Sequence, residues 1–259
     1  MLDHQPLLQV CRLGRVPYRE TWTFQKSLAD LRKKDLIADT LLLLEHEHVI
    51  TYGRNVGPSS LLFDQANLQE RGVELVESDR GGDATYHGPG QLVAYPIIDL
   101  KVDLPDVRKY VWNLEECMLA IMRDYHIEGG RVEGAPGAWV KGKTGGELDC
   151  KMGAVGVRLS RWVTHHGVGF NVTTDLQYFK LIVPCGLSDK GVTSLIEQVQ
   201  RQESFDPQAK KSITVVMKTI QDLFIGHFSR LFKRRVVELN VDELKQQIRN
   251  VSPALEESP

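Results

Sequence analysis

Four glycines crowd into ten residues of the stretch Asp79-Arg80-Gly81-Gly82-Asp83-Ala84-Thr85-Tyr86-His87-Gly88-Pro89-Gly90-Gln91. A packed core gains nothing from such a run, because glycine loses the most backbone entropy on folding and has no side chain to bury. What glycine permits is unusual dihedrals and close approach of a ligand to backbone N–H groups. A plain hairpin turn needs only about 2–5 residues, so the stretch is too long for a turn alone. It reads as one wall of a ligand pocket. Arg80 brings a fixed fork of donors to that wall, and His87 brings a ring that titrates near neutrality.

The rest of the chain limits what such a pocket can serve. At 259 residues there is room for one large domain with a sizeable core. A hydrophobic share of 42% and a charged share of 25% fit a soluble globular protein. A net charge of −2 gives no electrostatic case for nucleic acid or a membrane surface. The basic triplets Arg32-Lys33-Lys34 and Lys233-Arg234-Arg235 read as solvated helix ends. No apolar run is long enough to span a bilayer, and no secretory signal is visible at the start. Cys11, Cys117, Cys150 and Cys185 stand far apart with no C-x-x-C spacing. That argues against a structural zinc site and a disulfide framework, and for a reducing compartment.

Period and turn chemistry predict strands over residues 7–13, 40–44, 49–52, 73–77, 92–98, 138–140, 151–159, 162–172 and 236–239. Helices are expected over 18–34, 64–71, 192–199 with Thr193 as cap, 207–233 and 241–250, with a helical turn at 175–180. A further helix starts at Pro105, with the stripe Val107, Val111, Leu114, Met118, Ile121 and Tyr125 facing a sheet. Pro96 implies an edge strand or a bulge. His46 and His48 are expected on one strand face as pocket lining rather than as a metal pair. The class is α+β, with a mixed or mainly antiparallel sheet and flanking helices.

Cys185 differs from the other cysteines. Pro184 has a fixed φ and Gly186 can take a positive one, so the turn sets a sulfur at a defined place. A nucleophilic thiol must ionise from an ordinary pKa of about 8.5 and so needs a nearby cation or base. His87, His165, His166 and Lys151 are all candidates, and spacing does not choose among them.

Several motifs together resemble one family, the lipoyl(octanoyl) transferases of lipoate biosynthesis. The motif from Arg80 to Leu92 resembles its signature. Lys151-Met152-Gly153-Ala154-Val155-Gly156-Val157-Arg158 resembles its lysine-bearing strand, and His166-Gly167-Val168-Gly169-Phe170-Asn171-Val172 its second pocket loop. Pro184-Cys185-Gly186, followed by Gly191-Val192-Thr193-Ser194-Leu195, resembles its nucleophile turn. Glu45-His46 and Thr51-Tyr52-Gly53-Arg54 also fit. The likeness covers approximately residues 7–230, and ordered motifs in one chain are more specific than any single one.

That resemblance implies a fold similar to the catalytic domains of biotin and lipoate protein ligases. A catalytic domain would then occupy 1–235, and 236–259 would be a partly helical extension with a frayed end. It implies a Cys185/Lys151 dyad, no cofactor and no metal. Substrate-binding residues would be Arg80, Gly81, Gly82, Asp83, Ala84, Thr85, Tyr86 and His87, then Ala154, Val155 and Gly156, then Gly167, Val168 and Gly169. Tyr86 and Val168 would wall the acyl slot, with backbone N–H groups near Gly81-Gly82 or Cys185 holding an oxyanion. Phe170 departs from the family's usual aliphatic residue and is expected to bear on the acyl pocket.

The implied reaction moves octanoate from octanoyl-acyl carrier protein through a Cys185 thioester to a lysine of a lipoyl domain. Acceptors would be 2-oxoacid dehydrogenase lipoyl domains and the glycine cleavage H protein, in bacterial cytoplasm or mitochondrial matrix. No nucleic acid or membrane partner is expected. Rival readings are a lipoate or biotin ligase working through an acyl-adenylate, a non-catalytic acyl-carrier-binding module, and a Cys–His hydrolase using His166.

Overall fold

The run Leu41-Leu42-Leu43-Leu44 lies in β2 (Asp39–His46) and is completely buried. Successive side chains of a strand point to opposite faces. Leu41 and Leu43 accordingly join one apolar layer, and Leu42 and Leu44 another. A strand without a solvated face belongs inside a sheet covered by helices on both sides, and that is where β2 lies.

The computed structural model describes residues 5–53, 65–102, 105–142, 149–182, 190–205 and 215–252. Among them the main sheet runs β12 (Arg235–Leu239), β1 (Leu7–Val16), β2, β6 (Gln91–Ile97), β10 (Val163–Asn171), β9 (Cys150–Ser160), β8 (Ala135–Val140), β7 (Gly129–Val132). A short β11 (Gly191–Val192) joins β9 in parallel. β12, β1 and β2 are parallel, and every pair from β2 across to β7 is antiparallel. The sheet is mixed, as the sequence implies. A second sheet has the order β4 (Glu74–Ser78), β3 (Val49–Gly53), β5 (Thr85–His87).

On one face, α3 (Val107–Asp124) and α5 (Met217–Phe232) pack Leu114, Met118, Phe224 and Phe228 against the sheet. On the other, α1 (Tyr18–Lys33) and α6 (Val241–Val251) contribute Leu28, Leu31, Leu244 and Ile248. Of two further helices, α2 (Gln65–Glu70) packs Leu68 on the second sheet, and α4 (Leu195–Phe205) adds Leu195 and Val199 to the α3 layer. β12 and α6 thus join the same sheet and core as the residues before them.

The stripe of α3 is buried at Leu114, Met118, Ile121 and Tyr125, but Val107 is 40% exposed. The helix starts two residues after Pro105, where the Asp106 side chain accepts the Lys109 N–H. The helix expected over 207–233 is described only from Met217 to Phe232. Ser194, rather than Thr193, accepts the Glu197 N–H at the start of α4. β7 has no counterpart in the sequence reading, because Gly-Gly-Arg-Val shows no apolar alternation.

Two expectations are corrected by tertiary contacts. Pro96 lies on an interior strand, not an edge, aligned with Leu41 of β2. On its other side the β6–β10 ladder ends at Val168 with Ala94 and resumes where Thr164 bonds to Ile98. His166 faces this gap with a φ of 56° and donates its N–H to the Gln25 side chain. A proline that cannot donate is accommodated by sending the opposing N–H elsewhere.

The basic triplets are likewise not simply solvated. Arg234 and Arg32 both point inward onto the buried Asp39 carboxylate, at 2.9 and 2.7 Å. A buried carboxylate requires such partners.

Candidate active site

The glycine stretch divides into two structures. Residues 79–84 form a strap between β4 and β5. Gly88 to Gly90 form a tight turn into β6, with the Gly90 N–H donating to Glu45 at 2.6 Å. The strap is anchored at several points. Arg80 donates to Thr51 Oγ1 (2.9 Å), Thr51 O (2.6 Å) and its neighbour Gly81 O (3.1 Å). Gly81 N–H donates to Val157 O at 3.0 Å. That donor is therefore committed and does not serve an oxyanion. Asp79 accepts from Trp22 Nε1 at 3.1 Å and from His166 Nε2 at 2.8 Å.

The opposite wall is the β9–β10 hairpin. Its turn is Arg161-Trp162, both with positive φ (52° and 70°), one residue later than the gap at 160–161 between the two expected strands. Gly167 belongs to the hairpin's packing: a Cβ there would collide with the Ala94 carbonyl oxygen and crowd Pro96.

Between strap and hairpin lies a cavity of about 440 Å³. Arg80, Gly81, Gly82, Asp83, Ala84, Thr85, His87, Lys151, Ala154, Val155, Gly156 and Gly169 line it. Tyr86, Gly167 and Val168 do not. Tyr86 turns the other way, bonds His48 Nδ1 at 2.7 Å and stacks on Tyr178. Val168 enters the core, and with Gly167 borders only a small pocket of about 40 Å³ behind the cavity. Strand alternation puts Tyr86 on the far face from Thr85 and His87, and Val168 on the far face from Gly169. Phe170 is also core, fully buried beneath the floor beside Gly153. The walls also include Trp139, Pro136, Phe179 and Ile182, which no sequence motif marked, with Val111 of the α3 stripe and Val192 from the motif after the Cys185 turn.

His46 and His48 do not share a strand face, because β2 ends at His46 and His48 lies in the connection to β3. His46 bonds Val16 O and Tyr95 OH instead of lining the cavity. Burial pushes its pKa down to about 4. Asp79, His165 and His166 bring donor atoms within 4.8 Å of one another. Arg80 and Arg158 face His166, and Lys33 faces His165. These cations disfavour a metal ion, and the short Asp79–His166 bond makes the group a hydrogen-bonded anchor for the strap.

Lys151 stands near one end of the cavity. Its Nζ donates to Pro136 O at 3.3 Å and lies 4.7 Å from the Trp139 ring centroid. β11 runs beside it, and Thr193 N–H bonds Lys151 O at 3.0 Å. Pro184-Cys185-Gly186 lies outside the described residues. The described residues flanking that segment, Ile182 and Lys190, both line the cavity. Cys11 and Cys117 are buried, and burial raises both thiols, Cys11 to about 11. Cys150 is half-buried, with its sulfur facing Gly191.

These features define a class: a helix-covered mixed-sheet domain in which a glycine strap and a lysine-bearing hairpin enclose an elongated slot. A lipoate protein ligase from Thermoplasma acidophilum, solved with bound lipoic acid and described as putative, has this fold. It superposes with a TM-score of 0.64 over 95% of each chain at 13% identity. The family follows from sequence. Residues 17–221 match the lipoyl protein ligase A/B catalytic domain, and the chain belongs to that family. An octanoyltransferase of Koribacter versatilis is 46% identical over 235 residues, 90% of this chain and 87% of its own. One of Chloroflexus aggregans is 49% identical over 189 residues, covering 73% and 83%. No helix among the described residues is long and apolar enough to cross a membrane.

Proposed function

We propose that this chain is an octanoyltransferase that acylates a lysine of lipoyl domains, using Cys185 as nucleophile and Lys151 as its partner. The observation that carries the reading is the placement of Lys151 at one cavity end, with both described flanks of the Cys185 segment on the same cavity. The relatives named octanoyltransferase supply the acyl class.

The reaction takes two steps. The Cys185 thiolate attacks the carbonyl of octanoyl-acyl carrier protein. The carrier sulfur leaves with the bonding pair and takes a proton from the Lys151 ammonium, which leaves octanoyl-Cys185 and a neutral Lys151 amine. A lysine amine of the lipoyl domain, or of the glycine cleavage H protein, then attacks that thioester. The C–N bond forms, the C–S bond breaks and Cys185 thiolate returns. Lys151 stabilises the thiolate and, as the neutral amine, takes the proton lost by the attacking amine. One thioester replaces another in the first step, so the acyl group arrives already activated and no cofactor enters. Residues 1–235 serve as the catalytic unit, and 236–259 extend it.

Intact-protein mass spectrometry after incubation with octanoyl-acyl carrier protein tests this. Wild type gains one octanoyl group and Cys185→Ser gains none. Lys151→Ala alkylates roughly tenfold more slowly at neutral pH, because the thiol is less ionised. Normal turnover by Cys185→Ser removes the mechanism. ATP-dependent ligation of free octanoate makes the chain a ligase instead.

A further inference from the structure

A buried hydrogen-bond chain runs along the cavity wall, and its last member, His87, stands about eight carbons from Lys151. Lys151 lies beside Trp139, Pro136 and Val192, and Lys190 Nζ is 5.8 Å from the same Trp139 ring. Further along β9, Ala154 pairs with Gly169. A Cβ on Gly169 would lie 2.9 Å from Gln91 Oε1 and 3.3 Å from His87 Cε1, so these side chains stand over that step. Three residues of strand cover about 10 Å. An extended eight-carbon chain, with seven zigzag bonds of about 1.5 Å each, covers roughly 9 Å.

The hydrogen-bond chain is directed, and it starts at Thr193, whose N–H bonds Lys151 O. Thr193 O can only accept, so Asn171 Nδ2 donates to it at 3.0 Å. Asn171 Oδ1 then accepts from Gln91 Nε2 at 2.9 Å, which also donates to Tyr86 O at 3.2 Å. Gln91 Oε1 must therefore accept from His87 Nδ1, at 2.6 Å. His87 carries its proton on Nδ1 and is neutral, since burial pushes it down to about 3. Nε2 is a bare acceptor, and no group among the described residues donates to it. Water can satisfy that nitrogen and a methylene cannot. An acceptor desolvated without a donor weakens binding roughly five- to hundredfold. The pocket behind holds only about 40 Å³ and is bordered by Tyr18, Tyr95 and His166.

We propose that the His87–Gln91–Asn171 wall measures acyl length, ending the slot at eight carbons by the penalty of burying His87 Nε2 against a longer chain. The proposal rests on the acyl-transfer reading above, but its test needs no chemistry. Calorimetric binding of hexanoate, octanoate, decanoate and dodecanoate is measured with Cys185→Ser protein. Affinity rises about fourfold per methylene up to octanoate, and decanoate falls more than tenfold short of that trend. Adding His87→Leu carries the rise on to decanoate. Adding Gly169→Ala, whose Cβ drives Gln91 and His87 into the slot, moves the break to hexanoate. An unbroken rise to dodecanoate, failure to bind octanoate, or a break unmoved by both variants overturns the wall. Since this series contains no Cys185, a missing thioester adduct in wild type would refute the transfer mechanism without touching the length result.

Discussion

The two long walls of the cavity are held by different means. The β9–β10 hairpin is fixed by backbone ladders to β8 and β6, and its residues are part of the core. The strap at 79–84 has no ladder. Gly81, Gly82 and Asp83 are exposed, and its place is set by side chains reaching from α1, β3 and β10 and by one backbone bond to β9. Damage to the hairpin is therefore damage to the fold. Damage to the strap is damage to the site.

Acid attacks the buried histidines His46, His87 and His165 and should have the largest effect. Burial depresses His46 and His165 to about 4 and His87 to about 3, against an ordinary value of 6.5. Below about pH 6.5 the unfolded chain binds protons on these rings while the folded chain does not. Stability is therefore full above that pH and falls as pH drops toward 4, by several kcal/mol in all. Denaturant titrations at pH 7, 6 and 5 check this, and equal midpoints would mean the rings are charged in the fold.

Gly167→Ala comes next. The added Cβ meets backbone rather than a flexible side chain, so the loss is about 3 kcal/mol. It should lower the melting temperature and activity together. A normal melting temperature would show that the hairpin wall yields more than its ladders suggest.

Arg80→Ala is the smallest and most selective. It removes the bonds to Thr51 and costs roughly 2 kcal/mol of local order. Activity should fall at least about tenfold while the midpoint of global unfolding hardly moves. Equal losses in both would make the strap as integral to the fold as the hairpin.

The difference between the walls also explains what could be read in advance. The hairpin was legible because its period-2 pattern and turn are local properties of the chain. The glycine stretch was legible as a site, since so much glycine has no use in a core. Its division into a strap and a turn was not, because that depends on Val157, Thr51 and Trp22, all distant in sequence. Tyr86 and His87 are neighbours with the same local signal, and only strand alternation against a particular face gives His87 to the cavity and Tyr86 to the opposite side.

By itself the sequence determined the mixed α+β sheet, the buried β2, the stripe of α3 and the motifs that carry the family, since each is written in neighbouring residues. Only the tertiary structure decided which side chains face the slot, that Arg234 and Arg32 neutralise Asp39, and that Gln91 and Asn171 fix the proton on His87. Each of these needs a partner distant in sequence: Arg234 is 195 positions from Asp39, and Asn171 is 80 from Gln91. No local pattern records such a distance.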